Sequence, residues 1–299
     1  MIGPITLKRA LKHTAGVAST LLRPFVAEPG GPRVCILVYH RVASVDFQDP
    51  HLDNWNVRPD LFERQVASLA RDFEVIALTD VPARLRAVGG ESAKPAVCLT
   101  FDDGFANFHS EVLPVLRRYH VEATLFAVTR FIGSDRPMPF DRWSCRHFDH
   151  VPASAWRPLN WKEIDECVAS GLVRVGSHSH QHRIGTSCTR DELRAEAQHS
   201  REILRIRLGD EHSTCFSYPY GSSRPPLVPA GYVEAVDEAG YSLAVCTDMG
   251  LAQSGSNPHW LPRIEAFELD SPAVLRAKAA GALTPFLLSQ WLRTAKRSA

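Results

Sequence analysis

The chain has 299 residues, which is enough for one large α/β domain or two smaller ones. A hydrophobic content of 44% with a charged content of 22% is typical of a soluble globular protein with a sizeable core. A formal net charge of +1 excludes a strong overall field that would attract nucleic acid, and no apolar run reaches the ~18 residues of a membrane span.

The N-terminal residues 1–32 form a basic, partly apolar segment, which we predict to be amphipathic. The apolar stretch at 15–22 is short, contains Ser19 and Thr20, and is followed by no A-x-A site. This pattern disfavours a cleaved signal peptide.

Between residues 33 and 270, short apolar runs alternate with helical patterns. The apolar runs predict strands at 33–40, 74–78, 96–101, 123–128, 173–178, 214–221, 241–247 and 261–267. The spacing of apolar residues predicts helices at 59–73, 80–88, 111–119, 161–170, 190–208 and 232–240. Continuous apolar strands alternating with helices are typical of a parallel sheet. About seven such units predict an α/β fold, a (β/α) barrel in one domain.

Residues 271–299 contain five basic residues and no acidic residue, and we predict a basic amphipathic helix there. Both terminal segments are candidates for reversible attachment to an anionic membrane surface; the alternative is that they pack on the domain and expose their charges. Seven cysteines, an odd number without a C-x-x-C pair, favour a reducing compartment. The predicted location is the cytoplasm, at the periphery of a membrane, in preference to the periplasm or the exterior.

Polar side chains follow four of the predicted strands, at the end where parallel strands place their chemistry. They are Tyr39 and His40, Asp102 and Asp103, His178 to His182, and Tyr218 to Tyr220. Residue types that bind metals and transfer protons thus converge on one end of the predicted barrel. We expect the active site there.

Two adjacent carboxylates, Asp102 and Asp103, end a strand that is otherwise apolar. In a partly dry setting they repel each other, and one holds a proton unless a cation intervenes. The segment HSHQH offers partners for such a cation, because His178 and His182 lie together in a helical turn and all three histidines do so in an extended segment. Two histidines and one carboxylate leave open positions, which is typical of a catalytic metal. The alternatives are an exposed acid pair and a loop that is merely rich in histidine.

The motifs TFDDG (100–104), HSHQH (178–182) and FSYPYG (216–221) are similar to the first three motifs of the NodB-homology polysaccharide deacetylases, carbohydrate esterase family four. The resemblance extends over about residues 33–270 and implies a distorted (β/α) barrel. The site residues that it implies are Asp102 as general base, Asp103, His178 and His182 as metal ligands, and the backbone N–H of Tyr220 as oxyanion donor. His180 has no role in this set.

The sequence departs from the family pattern in the third motif. Ser217 stands where the family usually carries an arginine that orients the base. Arg263 in LPRIEAF (261–267) is a candidate substitute that could reach the same carboxylate. The alternative is that Arg263 pairs with surface acids such as Glu265.

The late L-x-x-H motif that supplies the family's general acid is also absent, and His259 in SNPHW is the nearest candidate. The segment LVYHRV (37–42) instead resembles the N-terminal motif of a subgroup that includes exopolysaccharide poly-N-acetylglucosamine deacetylases. His40 is therefore our candidate for the general acid. The alternative is a strand-end histidine bonded to backbone.

The resemblance implies metal-dependent removal of N-acetyl groups from an amino-sugar glycan, either a polysaccharide or a lipid-linked saccharide. It implies one divalent ion, for which Zn²⁺ is the first choice, although a His₂Asp set also accepts Co²⁺, Ni²⁺ or Fe²⁺. Tyr218, Trp143 and Trp55 are candidates to stack on a sugar ring, with ordinary packing as the alternative. Two other functions stay open: hydrolysis of a non-sugar amide on the same fold, and glycan binding without catalysis.

Overall fold

The computed structural model describes residues 32–45, 49, 51–53, 55–87, 94–223 and 227–282. The strands are β1 (Arg33–Tyr39), β2 (Arg41–Val42), β3 (Asn56–Val57), β4 (Glu74–Val75), β5 (Ala96–Phe101), β6 (Ala123–Ala127), β7 (Val173–Ser177), β8 (Cys215–Ser217), β9 (Leu243–Met249), β10 (Ala252–Gln253) and β11 (Leu261–Glu265). The α-helices are α1 (Pro59–Asp72), α2 (Val81–Arg86), α3 (Leu113–Tyr119), α4 (Arg142–His147), α5 (Trp161–Val168), α6 (Arg190–Leu208), α7 (Ala230–Glu238) and α8 (Pro272–Ala279). Within these ranges, no helix has both the length and the apolar character needed to cross a membrane.

Seven parallel strands close into a barrel. β1 pairs with β11, then follow β9, β8, β7, β6 and β5, and β5 pairs with β1 to complete the ring. β4 adds to β5 in parallel, and β10 adds to β1 in the antiparallel direction. β1 pairs with β10 at its start and with β11 near its end, and this exchange of partners distorts the ring. The predicted (β/α) barrel of about seven parallel strands is confirmed.

The join between β7 and β8 is the least extensive in the ring. Only Ser177 and Phe216 pair in register there, whereas β6 and β7 share five residue pairs. β8 has three residues because Pro219 and a left-handed turn at Tyr220, whose φ is 55°, follow it at once. The strand predicted at 214–221 is therefore too long.

Alternate residues of the barrel strands face two different cores. In β1, Val34 and Ile36 belong to the cluster that fills the barrel. Cys35, Leu37 and Tyr39 belong to the cluster between the strands and the helices. Strands buried on both faces explain the continuous apolar runs in the sequence.

The inward row of β5 leads directly to the polar end of the barrel. Cys98 lies in the barrel core, Thr100 follows on the same face, and the next residue in that row is Asp102. On β11, Leu261 faces the same core and Arg263 follows it inward. The period of the strands thus places Arg263 and Asp102 inside one ring.

The helices cover the barrel along the apolar faces that their spacing predicts. α1 buries Leu61, Phe62, Val66 and Leu69 against the strands. Capping boxes begin α5 and α6. The sequence pattern did not indicate β2, β3, β10 or α4, because these elements have only two to six residues and no periodicity.

α8 packs into the barrel domain, although the sequence predicts a separate segment from residue 271. The buried Lys278 ammonium donates to Asp270 at 2.5 Å and to the carbonyl of Glu265 at 2.9 Å. Arg276 pairs with Asp72 at 2.7 Å. Two of the five basic residues of the segment are therefore engaged within the domain. The other three, and residues 1–31 of the N-terminal segment, lie outside the described residues.

Candidate active site

The ends of three strands bring most of the predicted site residues together. His40 follows β1, Asp102 and Asp103 follow β5, and His178 follows β7. His178 Nε2 lies 3.9 Å from Asp102 Oδ2, so the ends of β5 and β7 meet inside the barrel mouth. The prediction that these side chains converge at one end of the barrel is thus confirmed.

The backbone of the site is strained. Six non-glycine residues in the described part of the chain have positive φ, and five of them lie in or beside the site. These five are Trp55, Asp103, Ser179, His182 and Tyr220. Left-handed backbone is costly for such residues and clusters where function requires it. Gly104 continues the turn with φ +75°, and a Cβ there would lie 3.2 Å from Ala127 Cα, so this position requires glycine.

Asp103, His178 and His182 form a compact set of donor atoms. Their ligand atoms all lie within 4.8 Å of one another, and the Nε2 atoms of both histidines are 3.5 Å from Asp103 Oδ1. Ligands bound tetrahedrally at about 2.1 Å from a metal are about 3.4 Å apart, so the set fits a small divalent ion. His178 Nδ1 donates to the carbonyl of Ser217 at 2.8 Å, which leaves its Nε2 lone pair facing Asp103.

The protonation states of this trio also suit a cation. Burial, and then the carboxylates of Asp102 and Asp141, raise the pKa of Asp103 well above its usual value. Burial lowers the pKa of His178 and of His182, so both imidazoles are neutral, the form that binds metal. Without a cation beside it, the Asp103 carboxyl therefore tends to hold a proton.

Asp102 has the opposite environment. Arg263 holds it in a bidentate pair, with Nη1 donating to Oδ1 at 2.8 Å and Nη2 to Oδ2 at 2.6 Å. The Ser217 hydroxyl also donates to the carboxylate, at 3.2 and 3.3 Å. Burial alone would raise the pKa of Asp102, but the charge and the hydrogen bonds of Arg263 outweigh it and hold the pKa below its usual value. Asp102 is therefore ionised at neutral pH.

Arg263 uses all of its donors within the barrel. Besides Asp102, the acceptors are the carbonyl of Cys246 at 2.9 Å, the hydroxyl of Thr100 at 3.3 Å and the hydroxyl of Ser217 at 3.0 Å. These account for the five N–H groups of a guanidinium. None of the five donates to Glu265, the alternative partner from the sequence.

His40 lies at the barrel mouth beside Trp55, with ring centroids 5.4 Å apart. Burial lowers the pKa of His40 to about 4, against the opposing charge of Asp102. The imidazole is thus neutral at neutral pH and can act as an acid only after it has received a proton. Its role stays a prediction.

The three candidates for sugar stacking are placed very differently. Tyr218 is 0% exposed and Trp143 is 1% exposed, each within a packed cluster, so neither ring face is open to a sugar. The stacking prediction is wrong for both, because the packing alternative applies. Trp55 is 46% exposed beside His40, and Tyr220 is 37% exposed beside His182. Trp55 stays a candidate.

Two further histidines are engaged elsewhere. His180 Nδ1 meets the hydroxyl of Thr129 at 3.0 Å and lies outside the trio, as the family motif implies. His259 Nε2 donates to the carbonyl of Tyr241 at 2.9 Å. This contact agrees with the choice of His40 over His259 as the predicted acid.

Three residues near the site were not indicated by the motifs: Arg41, Phe140 and Asp141. Arg41 is 1% exposed and pairs with Asp141 at 2.5 Å, and Phe140 stacks on His182. One signal was present, since an arginine inside the apolar run around LVYHRV must have partners if it is buried. Phe140 and Asp141 lie in an aperiodic segment, where sequence spacing predicts no contacts.

The fold and the site define a metal-dependent hydrolase on a (β/α) barrel. A family model described as polysaccharide deacetylase matches residues 89–244, more than half of the chain. The chain therefore belongs to the polysaccharide deacetylase family.

Individual relatives are distant. The poly-β-1,6-N-acetyl-D-glucosamine N-deacetylase of Staphylococcus aureus is 22% identical over 254 residues, covering 78% of this chain and 79% of that protein. YxkH of Bacillus subtilis is 23% identical over 172 residues, 58% of this chain, and the match spans about half (52%) of YxkH.

Solved structures share the fold. The deacetylase PplD of Streptococcus pyogenes, in complex with acetate, superposes with a TM-score of 0.67 at 21% identity, over 84% of this chain and 99% of that one. IcaB from Ammonifex degensii gives a TM-score of 0.65 at 20% identity, over 83% and 98% of the two chains.

Proposed function

We propose that the protein removes N-acetyl groups from an amino-sugar glycan by metal-assisted hydrolysis. The observation that carries this proposal is the contrast between two adjacent buried carboxylates. Asp102 is held ionised by Arg263, whereas Asp103 faces two neutral imidazoles. One carboxylate is thus arranged as a base and the other as a ligand. The Staphylococcus aureus relative, whose name states poly-β-1,6-N-acetylglucosamine as its substrate, supports the glycan class.

Asp103, His178 and His182 would hold the cation, and Zn²⁺ is our proposal because small His₂–carboxylate sites with open positions suit it. The same donors accept Co²⁺, Ni²⁺ or Fe²⁺. When bound, such an ion supplies Lewis acidity toward a carbonyl oxygen.

Two side chains of the protein, Asp102 and His40, carry out the proton transfers in this proposal. Asp102 accepts a proton from the attacking water, and Arg263 fixes the carboxylate for this task. The backbone N–H of Tyr220 is the proposed donor to the oxyanion that develops. As the C–N bond breaks and acetate forms, His40 takes up the proton that Asp102 accepted from the water and delivers it to the departing amine. Burial lowers the pKa of His40 to about 4, so the imidazolium formed in this way gives up its proton readily to the amine.

Exposed aromatic rings on both sides of the site suit a sugar. Trp55 lies beside the proposed acid His40, and Tyr220 lies 4.9 Å from the ring of His182. Aromatic faces next to the reacting groups are suited to the apolar face of a pyranose. We propose Trp55 as the platform for the sugar that is deacetylated.

The direct test is acetate release from β-1,6- and β-1,4-linked N-acetylglucosamine oligomers by the metal-loaded chain, with Asp102→Asn as the matched control. We expect release by the wild type and a rate lower by ~10²–10⁴-fold in the variant. Release only from non-sugar amides would favour the alternative hydrolase. Binding of the oligomers without any acetate release would indicate a glycan-binding module.

We also propose that the enzyme works in the cytoplasm, at the periphery of a membrane. All seven cysteines are free, which is usual in a reducing compartment. The remaining basic charges of the terminal segments belong to residues outside the described ranges. Flotation with anionic liposomes at low and high salt, with the full chain and with chains lacking 1–30 or 283–299, tests the attachment. Equal flotation of all three chains, or recovery of the native enzyme from the periplasm, would refute it.

A further inference from the structure

The two histidines of the trio are held in different ways. His178 is fixed through its outer nitrogen, because Nδ1 donates to the carbonyl of Ser217. His182 Nδ1 is buried and has no hydrogen-bond partner among the described residues. A histidine that binds a metal is normally oriented by a hydrogen bond at its other nitrogen. The orientation of the His182 ring must therefore have another source.

Phe140 supplies a contact that can set this orientation. Its ring stacks on the His182 imidazole with a centroid distance of 3.7 Å and an interplanar angle of 15°. The rings of His178 and Tyr220 meet His182 at steep angles, with centroids 4.8 and 4.9 Å away. Among the residues that the structure describes, Phe140 is thus the one aromatic neighbour that lies parallel to the imidazole, and a parallel stack fixes the ring plane directly.

The position of Phe140 is itself fixed by the next residue. Asp141 accepts from the backbone N–H of Ser144 at 3.1 Å and so caps α4. Its carboxylate also pairs with Arg41 at 2.5 Å. The chain is therefore anchored immediately after Phe140.

Arg41 makes this anchor rigid. The guanidinium lies 4.2 Å from the Phe105 ring centroid and 4.9 Å from that of Trp143. It also donates to the hydroxyl of Ser144 at 3.0 Å and to the carbonyl of Ala155. Because Arg41 directly follows His40, one short segment joins the proposed acid to the wall of the metal site.

We infer that Phe140 is a positioning residue for the metal ligand His182, and that the Arg41–Asp141 pair holds Phe140 in its stack. The inference rests on the metal site of the proposed function. Loss of the stack leaves His182 free to rotate about its side-chain bonds, so the cost falls on metal affinity. Loss of an orienting contact on a ligand typically weakens metal binding by ~10–100-fold.

The test measures the Zn²⁺ dissociation constant of the full chain by competition with a chromogenic chelator, and the visible spectrum of the Co²⁺ form. The variants are Phe140→Leu, which keeps apolar bulk without a ring, and Phe140→Tyr, which keeps the ring. Phe131→Leu is the matched control, because the Phe131 ring neighbours that of Phe140, with centroids 6.0 Å apart, whereas the described ring contacts of His182 are with Phe140, His178 and Tyr220. Melting temperatures of the metal-free proteins show whether each variant folds.

We expect Phe140→Leu to weaken Zn²⁺ binding by about tenfold or more and to change the Co²⁺ spectrum, with Phe140→Tyr and Phe131→Leu within about threefold of wild type. Arg41→Lys, which leaves Phe140 in the chain and keeps the positive charge near Asp103 but not the guanidinium contacts, should weaken binding in the same direction and gives the decisive reading if Phe140→Leu does not fold. Wild-type affinity in both Phe140→Leu and Arg41→Lys overturns this inference alone. Failure of the wild type to bind Zn²⁺ or Co²⁺ overturns the metal site and this inference together.

Discussion

Asp102 and Asp103 are neighbours in sequence, and both are buried, yet their surroundings have opposite effects. The carboxylate of Asp102 accepts from Arg263 and Ser217 and carries a lowered pKa. The carboxylate of Asp103 faces two bare imidazole nitrogens at 3.5 Å and carries a raised pKa. The strand explains the difference, because consecutive residues turn to different sides and the left-handed turn at Asp103 sends it toward β7.

The contrast shows how one dipeptide can supply two functions. The guanidinium of Arg263 neutralises the charge of Asp102. Asp103 has no such partner in the trio, so a metal ion from solution would have to neutralise its charge. Substitutions at the two sites should therefore have different effects on the free energy of unfolding, on metal affinity and on the catalytic rate.

Asp103→Asn should have the largest effect. Removal of the only carboxylate in the trio should lower metal affinity by at least ~10³-fold and reduce deacetylation to background. The folded-state pKa of Asp103 is raised, so its burial costs stability once the pH exceeds the ordinary aspartate value. The metal-free variant should thus melt about 2–4 °C higher than metal-free wild type near neutral pH, and this gain should vanish at about pH 3. Stoichiometric metal in the purified variant would contradict the ligand assignment.

Asp102→Asn should retain metal and lose catalysis by ~10²–10⁴-fold, because it removes the base. It should also lower the free energy of unfolding by ~3 kcal/mol, because buried Arg263 loses its counter-charge. Denaturant titration measures this loss. The double variant Asp102→Asn/Arg263→Met is the control, since it should recover stability without recovering activity. Near wild-type kcat in Asp102→Asn would exclude Asp102 as the base.

Arg263→Met tests the pairing from the other side. Arg263 lowers the pKa of Asp102, and the base must be ionised, so the acidic limb of the kcat/KM profile should move to higher pH. We expect a rate loss of about tenfold at neutral pH, with metal content unchanged. Arg263→Lys keeps the charge without the bidentate geometry and should shift the limb less. An unchanged pH profile in Arg263→Met would contradict the proposal that Arg263 positions and ionises Asp102.

Ser217→Ala should have the smallest effect. It removes one hydroxyl donor to Asp102, worth ~1 kcal/mol, and should lower kcat/KM by about three- to fivefold. The carbonyl of Ser217 still holds His178, so metal affinity should not change. Ser217→Thr keeps the hydroxyl and serves as the matched control. A change in metal affinity would mean that the substitution disturbs the backbone instead.

Most of the fold could be predicted from the sequence because its strands are apolar on both faces. The predictions at 96–101 and 190–208 match β5 and α6 at both ends. The strand predicted at 74–78 is reduced to Glu74–Val75, since the chain turns into a 3₁₀ helix at Leu78–Asp80. Short elements such as β2 and α4 depend on tertiary contacts, Arg41 above all, which no local pattern encodes.

The site was predictable where chemistry requires particular residue types in a row, as in Asp102-Asp103 and His178 to His182. It was not predictable where a side chain's role depends on which face it buries. Tyr218 and Trp143 have aromatic side chains suited to stacking on a sugar, but both are buried. The stack of Phe140 on His182 depends on an anchor far away in sequence, at Arg41. Such contacts follow from the closed barrel and not from spacing.

The single residue pair between β7 and β8 has a consequence for motion. Local opening begins where few backbone hydrogen bonds must break, so amide protons near Phe216 should exchange sooner than those of β6. The residues of the metal trio follow β5 and β7, on one side of the join between β7 and β8, whereas Ser217 ends β8 on the other side. Opening of this join would therefore loosen the side of the pocket that carries Tyr220 and would also strain the hydrogen bond from His178 Nδ1 to the carbonyl of Ser217. Motion that widens the barrel mouth for a bulky chain is in this way coupled to the orientation of the donor His178.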